Sequence, residues 1–419
     1  MRKCKDMPYH IGIVLKVYPS YRQKHLVSVN AGAQRSVYNH LVACGNEIYR
    51  LSKTASYVPS DRRRIDDLRH MTGSAANIQN ALPYLYTPEV DCQTVANGMK
   101  NYRTAWKNMR ERHTGVPAFH KKANDLSYQT NCHYVKSSKG LKDGTVRFLN
   151  QRYILLPKLG KIRFAGSPKL VSSLLSHTDN TRIGTVTIRK DAVGEYWVSL
   201  QIASEYPFHE LLPKTGKMLG IDLNLLELVY SSDGGSMANP RFHANLDQKI
   251  TKAQKKLSRM GDRAKRENRS LYESRNYQKQ RAKLASLHRQ VARQRADYLH
   301  TVSKHLVESQ DLIAAENLQV RNLLKDHHLA KAISDAGWRT LLTQLQQKAN
   351  VYGKTVILVP PQYTTQTCSE CGYVLKKEER LPLSVREWDC PKCGTHHLRD
   401  QNAAKNILQK ALLIMAETA

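Results

Sequence analysis

Long hydrophobic runs are absent from this sequence of 419 residues. No apolar stretch approaches the roughly 20 residues that a membrane-spanning helix needs. The basic N-terminus, MRKCKDMPYHIGIVLKVYPS, contains an apolar stretch of about five residues, which is shorter than the roughly 7–15 residues of a secretory signal. These absences argue against a membrane protein and against a secreted one, and we expect a cytoplasmic protein.

Acidic residues are scarce relative to basic ones. The chain has 66 Lys and Arg against 35 Asp and Glu, which gives a formal net charge of +31. An excess of this size indicates a polyanionic partner. Nucleic acid is the first candidate, and an anionic membrane surface is a second that no apolar run supports. Because single cores rarely grow beyond roughly 250–300 residues, we also expect two or more domains.

Eight cysteines divide into two groups. Four are scattered and isolated: Cys4, Cys44, Cys92 and Cys132. The other four form two CxxC pairs, each followed by glycine, that stand about 18 residues apart, as in a zinc ribbon. Four thiolates close a tetrahedral shell and leave no open position for catalysis, so we predict a structural zinc rather than a redox dithiol. Its ligands would be Cys368, Cys371, Cys390 and Cys393.

Secondary-structure patterns change along the chain. Residues 9–18 alternate like a strand, residues 32 to about 112 show helical spacing, and strand-forming residues dominate after 115, as in a small barrel or curved sheet. Strands and helices then alternate over 216–360, which is an α/β pattern. Within it, 245–307 predicts two antiparallel helices, with 17 Lys and Arg against 4 Asp and Glu from Lys249 to Lys304. The later segment LAKAISDAGWRTLLTQLQQKANVYG predicts an amphipathic helix, with Ser334 or Asp335 as its expected N-cap.

Three acids occupy predicted strand ends or a helix start: Asp222 in LGIDLN, Glu316 in LIAAENL and Asp400 in LRDQNAAKNIL. Each alone also fits a turn residue, a cap or the partner of a basic residue. Acids at adjacent strand ends of an α/β sheet converge, and their repulsion favours a cation between them. Carboxylate oxygens suit Mg²⁺, and two such ions about 3.5–4 Å apart promote phosphodiester hydrolysis. We therefore predict that the three acids are catalytic ligands of Mg²⁺.

These strings resemble the TnpB family of transposon-encoded, RNA-guided DNA endonucleases. GIDL, AENL and RDQNAAKNI resemble the three acidic motifs of a RuvC-type (RNase H-like) nuclease domain, and the ribbon lies between the second and the third. LKVYPS, GAQRSVYNHLV, LPKLGKIRF, ISDAGWRTLLTQLQQKA and TTQTCSECG also resemble family stretches, in family order. The resemblance therefore covers the chain from about residue 12 to about residue 410.

An α/β multidomain fold follows from the resemblance. It implies a β-rich wedge domain, of β-barrel type, at 1–30 and 115–215, with a helical recognition domain inserted at 31–114. It implies a RuvC-like nuclease domain at 216–360 and 398–419, which includes the basic helical hairpin at 245–307, and a zinc ribbon at 361–397.

The implied function is RNA-guided cleavage of double-stranded DNA. A guide RNA would pair with one DNA strand, the N-terminal domains would read a short motif beside the target, and the Mg²⁺ site would cut both strands. Base pairing would read the sequence, while a basic channel would hold the heteroduplex. Candidate nucleic-acid contacts are Arg35, Tyr38, Asn39, Lys121, Lys122 and Lys158, of which Tyr38 equally fits a core position. The expected setting is the nucleoid of a bacterium or archaeon, and the chain could act as a monomer or a dimer.

Two residues depart from the family pattern. Asn224 stands where the family often has glycine, and Leu398 stands where many members have aspartate. Neither is an assigned ligand, so the departures bear on local geometry and cleavage rate.

Three alternatives stay open. A compact type V CRISPR effector shares every motif and differs in its genomic neighbourhood. A guided repressor that does not cut would lack one or more of the three acids, whereas all three are present here. A transposase that joins strands is disfavoured by the interposed ribbon and the LPKLG region.

Overall fold

The computed structural model describes residues 4–121, 126–135, 143–166, 168–176, 180–271, 274–382 and 384–418. The chain forms two compact units, Met1–Phe208 and His209–Ala419. Across the described ranges, no helix combines the length and the apolarity that crossing a lipid bilayer would require.

The first unit contains an antiparallel sheet of seven strands in the order β2-β6-β7-β1-β5-β4-β3. The strands are β1 (Tyr9–Tyr18), β2 (Leu126–Asn131), β3 (Arg147–Phe148), β4 (Tyr153–Leu156), β5 (Gly160–Ala165), β6 (Thr181–Lys190) and β7 (Tyr196–Ser204). In β1, Ile13, Leu15 and Val17 are buried while Val14 is exposed, as the period of two along a strand requires. The inward side chains of all seven strands form the main core of this unit.

The helices of the first unit are α1 (Tyr21–Leu51), α2 (Pro59–Met71), α3 (Ala75–Ala81), α4 (Cys92–Arg112) and α5 (Pro168–Ser176). Helix α1 starts early because Ser20 caps it: the Ser20 hydroxyl accepts from the Gln23 backbone, and the Gln23 side chain accepts from the Ser20 backbone. The predicted boundary at residues 30 and 31 therefore lies inside a helix. Its first turns pack on the sheet through Leu26 and Val27, and its later turns pack on α4 through Val37 and Leu41.

The second unit contains a mixed sheet of five strands in the order β10-β9-β8-β11-β12. The strands are β8 (Met218–Asp222), β9 (Glu227–Ser231), β10 (Ser236–Ala238), β11 (Leu312–Glu316) and β12 (Thr355–Val359). Strands β8, β11 and β12 are parallel, while β9 runs antiparallel to both β8 and β10. Every residue of β11 is buried, because helices cover both faces of this central strand.

Six helices of the second unit are α6 (Phe242–Arg266), α7 (Arg275–Ser309), α8 (Val320–Leu323), α9 (Ala330–Ala336), α10 (Trp338–Tyr352) and α11 (Arg399–Thr418). On one face of the sheet, α7, α9 and α10 pack through Leu299, Ile333 and Leu341 on a core that includes Ile313 of β11. On the other face, α11 packs on Ala314 and Val359. Helices α6 and α7 are the two helices predicted at 245–307.

The predicted N-cap of α10 is wrong. Gly337 has a φ of +70° and occupies the residue before Trp338, so it ends α9 and begins α10. Asp335 lies in the last turn of α9 and is 8% exposed, while Ser334 beside it is exposed. The Asp335 carboxylate instead accepts two hydrogen bonds from the backbone N–H of His243, at 2.9 and 3.0 Å, and so caps α6.

Between β12 and α11, the chain forms a small two-stranded element. Its strands are β13 (Glu387–Asp389) and β14 (His396–Leu398). A core of its own contains Cys368, Leu375, Trp388 and Cys390. Such a small core buries little apolar surface, so the element needs an additional stabilising cross-link, such as a structural metal ion.

Candidate active site and metal centre

The parallel register of β8 and β11 brings two acids to one edge of the sheet. Ile221 stands opposite Ala315, and the next residue on each strand is an acid, Asp222 or Glu316. Each acid ends its strand and is only 8% exposed. Parallel neighbouring strands place both carboxyl ends at the same edge, where open α/β sheets bind their ligands.

Helix α11 brings the third acid to the same edge. Asp400 lies in the first turn of α11, and its side chain is 12% exposed. The helix can lie against β8 because Gly220 has no side chain: a Cβ there would clash with the carbonyl oxygen of Ala404 and come within 2.9 Å of the Leu408 Cβ. The glycine thus permits the close approach of helix and strand that sets Asp400 beside Asp222.

The electrostatics of Asp222 reflect this convergence. Burial raises the pKa of Asp222 well above its usual value, and the charges of Glu316 and Asp400 raise it further. The guanidinium of Arg399 opposes the rise. Burial also raises the pKa of Glu316, against the hydrogen bond from Thr364 and the charge of Lys410. Carboxylates that repel one another in a buried place favour a cation between them.

Neighbouring side chains orient the acids. The Thr364 hydroxyl donates to Oε1 of Glu316 at 2.5 Å. The Asn224 amide donates to Oδ2 of Asp400 at 2.9 Å, and an Arg386 guanidinium nitrogen lies 3.4 Å from the same oxygen. Asn224, the departure from the family pattern, is therefore a direct partner of one of the three acids.

The three acids are more widely spaced than the ribbon cysteines. Within the described ranges, the ribbon cysteines are the one group of three or more Cys, His, Asp or Glu side chains whose ligand atoms all lie within 4.8 Å of one another. The oxygens of Asp222, Glu316 and Asp400 are therefore not all within 4.8 Å of one another in this structure.

The four predicted cysteine ligands come together in a cluster that could hold a structural metal ion. The Sγ atoms of Cys368 and Cys393 lie 3.7 Å apart, as do those of Cys371 and Cys390. Each CxxC pair closes with a glycine of positive φ, +71° at Gly372 and +72° in the second pair. The Gly372 N–H donates to the carbonyl of Cys368 at 2.9 Å, which is the tight turn that the sequence predicts.

A histidine that the sequence analysis did not single out adjoins this cluster. His397 is 5% exposed, its Nε2 lies 3.1 Å from the Sγ of Cys368, and its ring packs on Trp388. Hydrogen bonds to ligating groups orient them and tune the metal. No CxxC spacing could have predicted this contact, because His397 reaches the cluster across the β13–β14 pair.

Side chains of α11 fasten the segment that enters the ribbon. Asn406 donates to the carbonyls of Thr364 and Thr367 at 2.8 and 2.6 Å. Asn402 donates to Thr367 and accepts from the backbone of Ser369. The helix that bears Asp400 is thus hydrogen-bonded to the backbone beside the first cysteine pair.

The residues predicted to contact nucleic acid differ from one another in how exposed they are and in which protein groups they already contact. Tyr38 is 6% exposed and its ring stacks on His120 at a centroid distance of 4.0 Å, so it is part of the helical core. Asn39 pairs with the His120 backbone through both ends of its amide. Arg35 is half-buried on α1, Lys121 and Lys158 are exposed, and Lys122 lies outside the described residues.

Two family models match parts of the chain. Residues 201–326 match the family described as "Probable transposase", and residues 338–407 match "Cas12f1-like, TNB domain". The first region contains Asp222 and Glu316, and the second contains Asp400 and all four clustered cysteines.

Relatives with assigned names are similar over different lengths. A Streptomyces pristinaespiralis protein, named as a candidate RNA-guided DNA endonuclease, is 37% identical over 233 residues, 55% of this chain and 54% of its own length. The chain thus spans about half of that relative. InsQ of Escherichia coli K12, with the same description, is 28% identical over 92% of this chain and 88% of its own length.

The fold resembles a solved structure. The Cas12f1 chain of a complex with single-guide RNA and target DNA matches 95% of this chain and 98% of its own length, with a TM-score of 0.55 and 12% sequence identity. At that identity, the likeness concerns the fold, which is mixed α/β.

Proposed function

We propose that the chain belongs to the TnpB family and is an RNA-guided DNA endonuclease, as the similarity to the named relatives suggests. It would bind a guide RNA, hold DNA that pairs with the guide, and hydrolyse phosphodiester bonds at Asp222, Glu316 and Asp400. The observation that carries the proposal is the convergence of these acids at the carboxyl edge of the second-unit sheet. A repressor that binds without cutting is less favoured, because all three acids are present.

The strand order supports an RNase H-like (RuvC) nuclease domain. Numbered along the chain within the sheet, the order β10-β9-β8-β11-β12 is 3-2-1-4-5, with the second strand antiparallel to its neighbours. The first strand then ends in Asp222 and the fourth in Glu316. We propose this domain at 216–360 and 398–419, the wedge domain at 1–30 and 115–215, and the recognition domain at 31–114.

Mg²⁺ is the cation that we propose for the acidic site. Three carboxylates in a largely buried place are hard oxygen ligands with an excess of negative charge, which matches the preference of Mg²⁺. Bound there, the metal would polarise the phosphate and lower the pKa of the attacking water. The residues that would hold it are Asp222, Glu316 and Asp400.

The surrounding residues have separate roles in this proposal. Asn224 and Thr364 each hold one oxygen of an acid and so fix its direction. Arg386 is 46% exposed in its side chain and contacts Asp400, so its guanidinium can compensate the charge of a phosphate at the site. In the hydrolysis, the water oxygen bonds to phosphorus, the bond to the leaving sugar oxygen breaks, and that oxygen takes up a proton.

For the four cysteines, we propose a structural zinc. All four positions of a tetrahedral ion would be filled by thiolates, which leaves none for substrate. The proposed ribbon spans 361–397.

The basic hairpin of α6 and α7 is the surface that we propose for nucleic acid. Between Lys249 and Lys304 the sequence has 17 Lys and Arg but only 4 Asp and Glu, and most of these basic residues are exposed. Neutralising phosphates by these residues releases counterions. Affinity for RNA or duplex should therefore fall steeply with salt, with a log–log slope of about −0.9 per duplex phosphate contacted. A flat salt response would contradict a basic channel.

Cleavage of matched DNA tests the nuclease proposal. The full chain is purified with its bound RNA, the RNA is sequenced, and DNA matching the guide segment is supplied with Mg²⁺. Wild type should cut, and Asp222→Ala should bind the DNA but cut at least about 100-fold more slowly, as expected when a metal ligand is lost. Glu417→Ala, which removes an exposed acid near the end of α11 and outside the hairpin, is the matched control and should cut normally. Normal cutting by Asp222→Ala would exclude the assigned site.

A further inference from the structure

Thr364 lies between the acidic site and the cysteine cluster. Its hydroxyl donates to Oε1 of Glu316 at 2.5 Å and also lies 3.2 Å from the carbonyl of Pro361. The residue is 2% exposed and precedes Cys368 by four positions. A buried hydroxyl with one short bond to a carboxylate holds that carboxylate in a single orientation.

The backbone of Thr364 is itself held from α11. The amide of Asn406, 3% exposed, donates to the Thr364 carbonyl, and the amide of Asn402, 2% exposed, donates to the Thr367 carbonyl. Asn402 also accepts from the N–H of Ser369, the residue after Cys368. The ribbon entry, defined as residues 364–369, therefore contains Cys368, bonds to Glu316 through Thr364, and is held to α11 by buried hydrogen bonds.

We infer that Thr364 is a positioning residue for the divalent-cation site, through which the ribbon entry orients the Glu316 carboxylate. The inference rests on the proposed function in that it takes Glu316 as a metal ligand. Carboxylate ligands are usually hydrogen-bonded by a surrounding layer of residues, and loss of such a partner typically costs about 10–100-fold in metal affinity or activity. The ribbon thus has a role in the acidic site beyond its own stability.

The test compares valine and serine at this position. Thr364→Val keeps the shape and removes the hydroxyl, and Thr364→Ser keeps the hydroxyl. Thr367→Val is the matched control, because the Thr367 hydroxyl bonds only to the carbonyl of Tyr363 among the contacts of the ribbon entry. Mn²⁺ serves as the probe: its binding to the full chain, freed of nucleic acid by high salt, is measured by electron paramagnetic resonance of the unbound ion.

Thr364→Val should weaken Mn²⁺ binding by about 10–100-fold and raise the Mg²⁺ concentration for half-maximal cleavage by a similar factor. Thr364→Ser and Thr367→Val should stay within about threefold of wild type. Zinc content should be unchanged in all three variants, which separates positioning from collapse of the ribbon. If the valine variant fails to fold, Thr364→Ala is measured in the same way.

Equal Mn²⁺ binding by Thr364→Val and wild type would overturn the inference. Equal losses in Thr364→Ser or Thr367→Val would also overturn it, since the hydroxyl on Glu316 would then not be the cause. A wild type that binds no Mn²⁺ would do the same. A wild type that cuts no DNA, but whose Mn²⁺ affinity falls in Thr364→Val, would refute the proposed function and leave the positioning role supported.

Discussion

The ammonium group of Lys354 lies 2.5 Å from Oδ1 of Asp311, and the Lys354 side chain is only 1% exposed. Asp311 also accepts hydrogen bonds from the backbone of Thr215 and Gly216, and Lys354 donates to the carbonyl of Pro213. The pair thus ties together the chain entering β8 and the starts of β11 and β12. It lies at the end of the sheet opposite the acids.

Removing the two partners one at a time should have unequal effects on stability. Asp311→Ala leaves a buried ammonium without its counter-charge, which is strongly unfavourable, whereas Lys354→Met replaces the charge with an apolar side chain of similar length. We expect Asp311→Ala to lower the melting temperature by several degrees and Lys354→Met to lower it less. Asp297→Ala, which removes an exposed acid of α7, is the control. A larger loss in Lys354→Met would contradict this description of the pair.

The same pair predicts a dependence of stability on pH. Bonds from Lys354 and from the Thr215 backbone hold the pKa of Asp311 far below its usual value. A group whose pKa is depressed by folding contributes stability that is present above its unfolded pKa, about 4, and is lost as the pH falls below that value. Denaturant unfolding from pH 6 to pH 2.5 should therefore show a loss of stability below about pH 4, and the loss should be smaller in Lys354→Met. If the stability of wild type and of Lys354→Met fell by the same amount as the pH was lowered, the ion pair could not be the cause of the loss.

The close packing around Gly220 predicts that adding a single methyl group there would destabilise the fold. Gly220→Ala would push α11 away from β8, because the Cβ meets the Ala404 carbonyl and Leu408. Overpacking of this kind costs roughly 1–3 kcal/mol, and the shift of Asp400 should slow cleavage as well. Gly261→Ala in α6 is the matched control: its Cβ meets nothing within 4 Å, and we expect a gain of about 0.5–1 kcal/mol. Urea unfolding measures both, and equal effects would exclude the packing explanation.

Substituting Asp335 should lower stability because Asp335 caps α6, a helix that is distant from it in sequence. Asp335→Ala removes the acceptor for the His243 N–H in the first turn of α6 and the partner of Arg295, whose guanidinium lies 3.8 Å away. N-cap substitutions of this type cost about 0.5–2 kcal/mol. Ser334→Ala, at the neighbouring exposed position, should stay within about 0.5 kcal/mol of wild type. Equal costs for the two variants, measured by chemical unfolding, would contradict capping of α6 by Asp335.

Local patterns predicted the elements that carry the site, because those elements are encoded by neighbouring residues. Strand β8 ends at Asp222, β11 ends at Glu316, and α11 begins just before Asp400, in agreement with the apolar runs and the helix start read from the sequence. The CxxC spacing likewise predicted the cysteine cluster. Parallel pairing then makes the meeting of two strand ends a consequence of topology.

Side-chain partnerships between distant segments could not be predicted in the same way. Thr364 reaches Glu316 across 48 positions, and Asn224 reaches Asp400 across 176. Asp335 was expected to cap the helix that follows it, yet it caps α6, because the tertiary fold brings the start of α6 beside it and Gly337 already breaks the chain between α9 and α10. Such contacts depend on packing, and a local pattern carries no information about it.

The cysteine cluster predicts a metal-dependent ribbon. Cys390→Ser removes one of four ligands whose Sγ atoms lie within 4.8 Å of one another, so zinc should no longer co-purify at one ion per chain. With its small core, the ribbon should then unfold and become sensitive to protease between residues 361 and 397, because structural zinc supplies folding free energy. Cys92→Ser is the matched control, since Cys92 is exposed at the start of α4 and remote in sequence from the cluster. Metal analysis and limited proteolysis give the answer: a Cys390→Ser protein with full zinc content and an intact ribbon would refute the four-cysteine site.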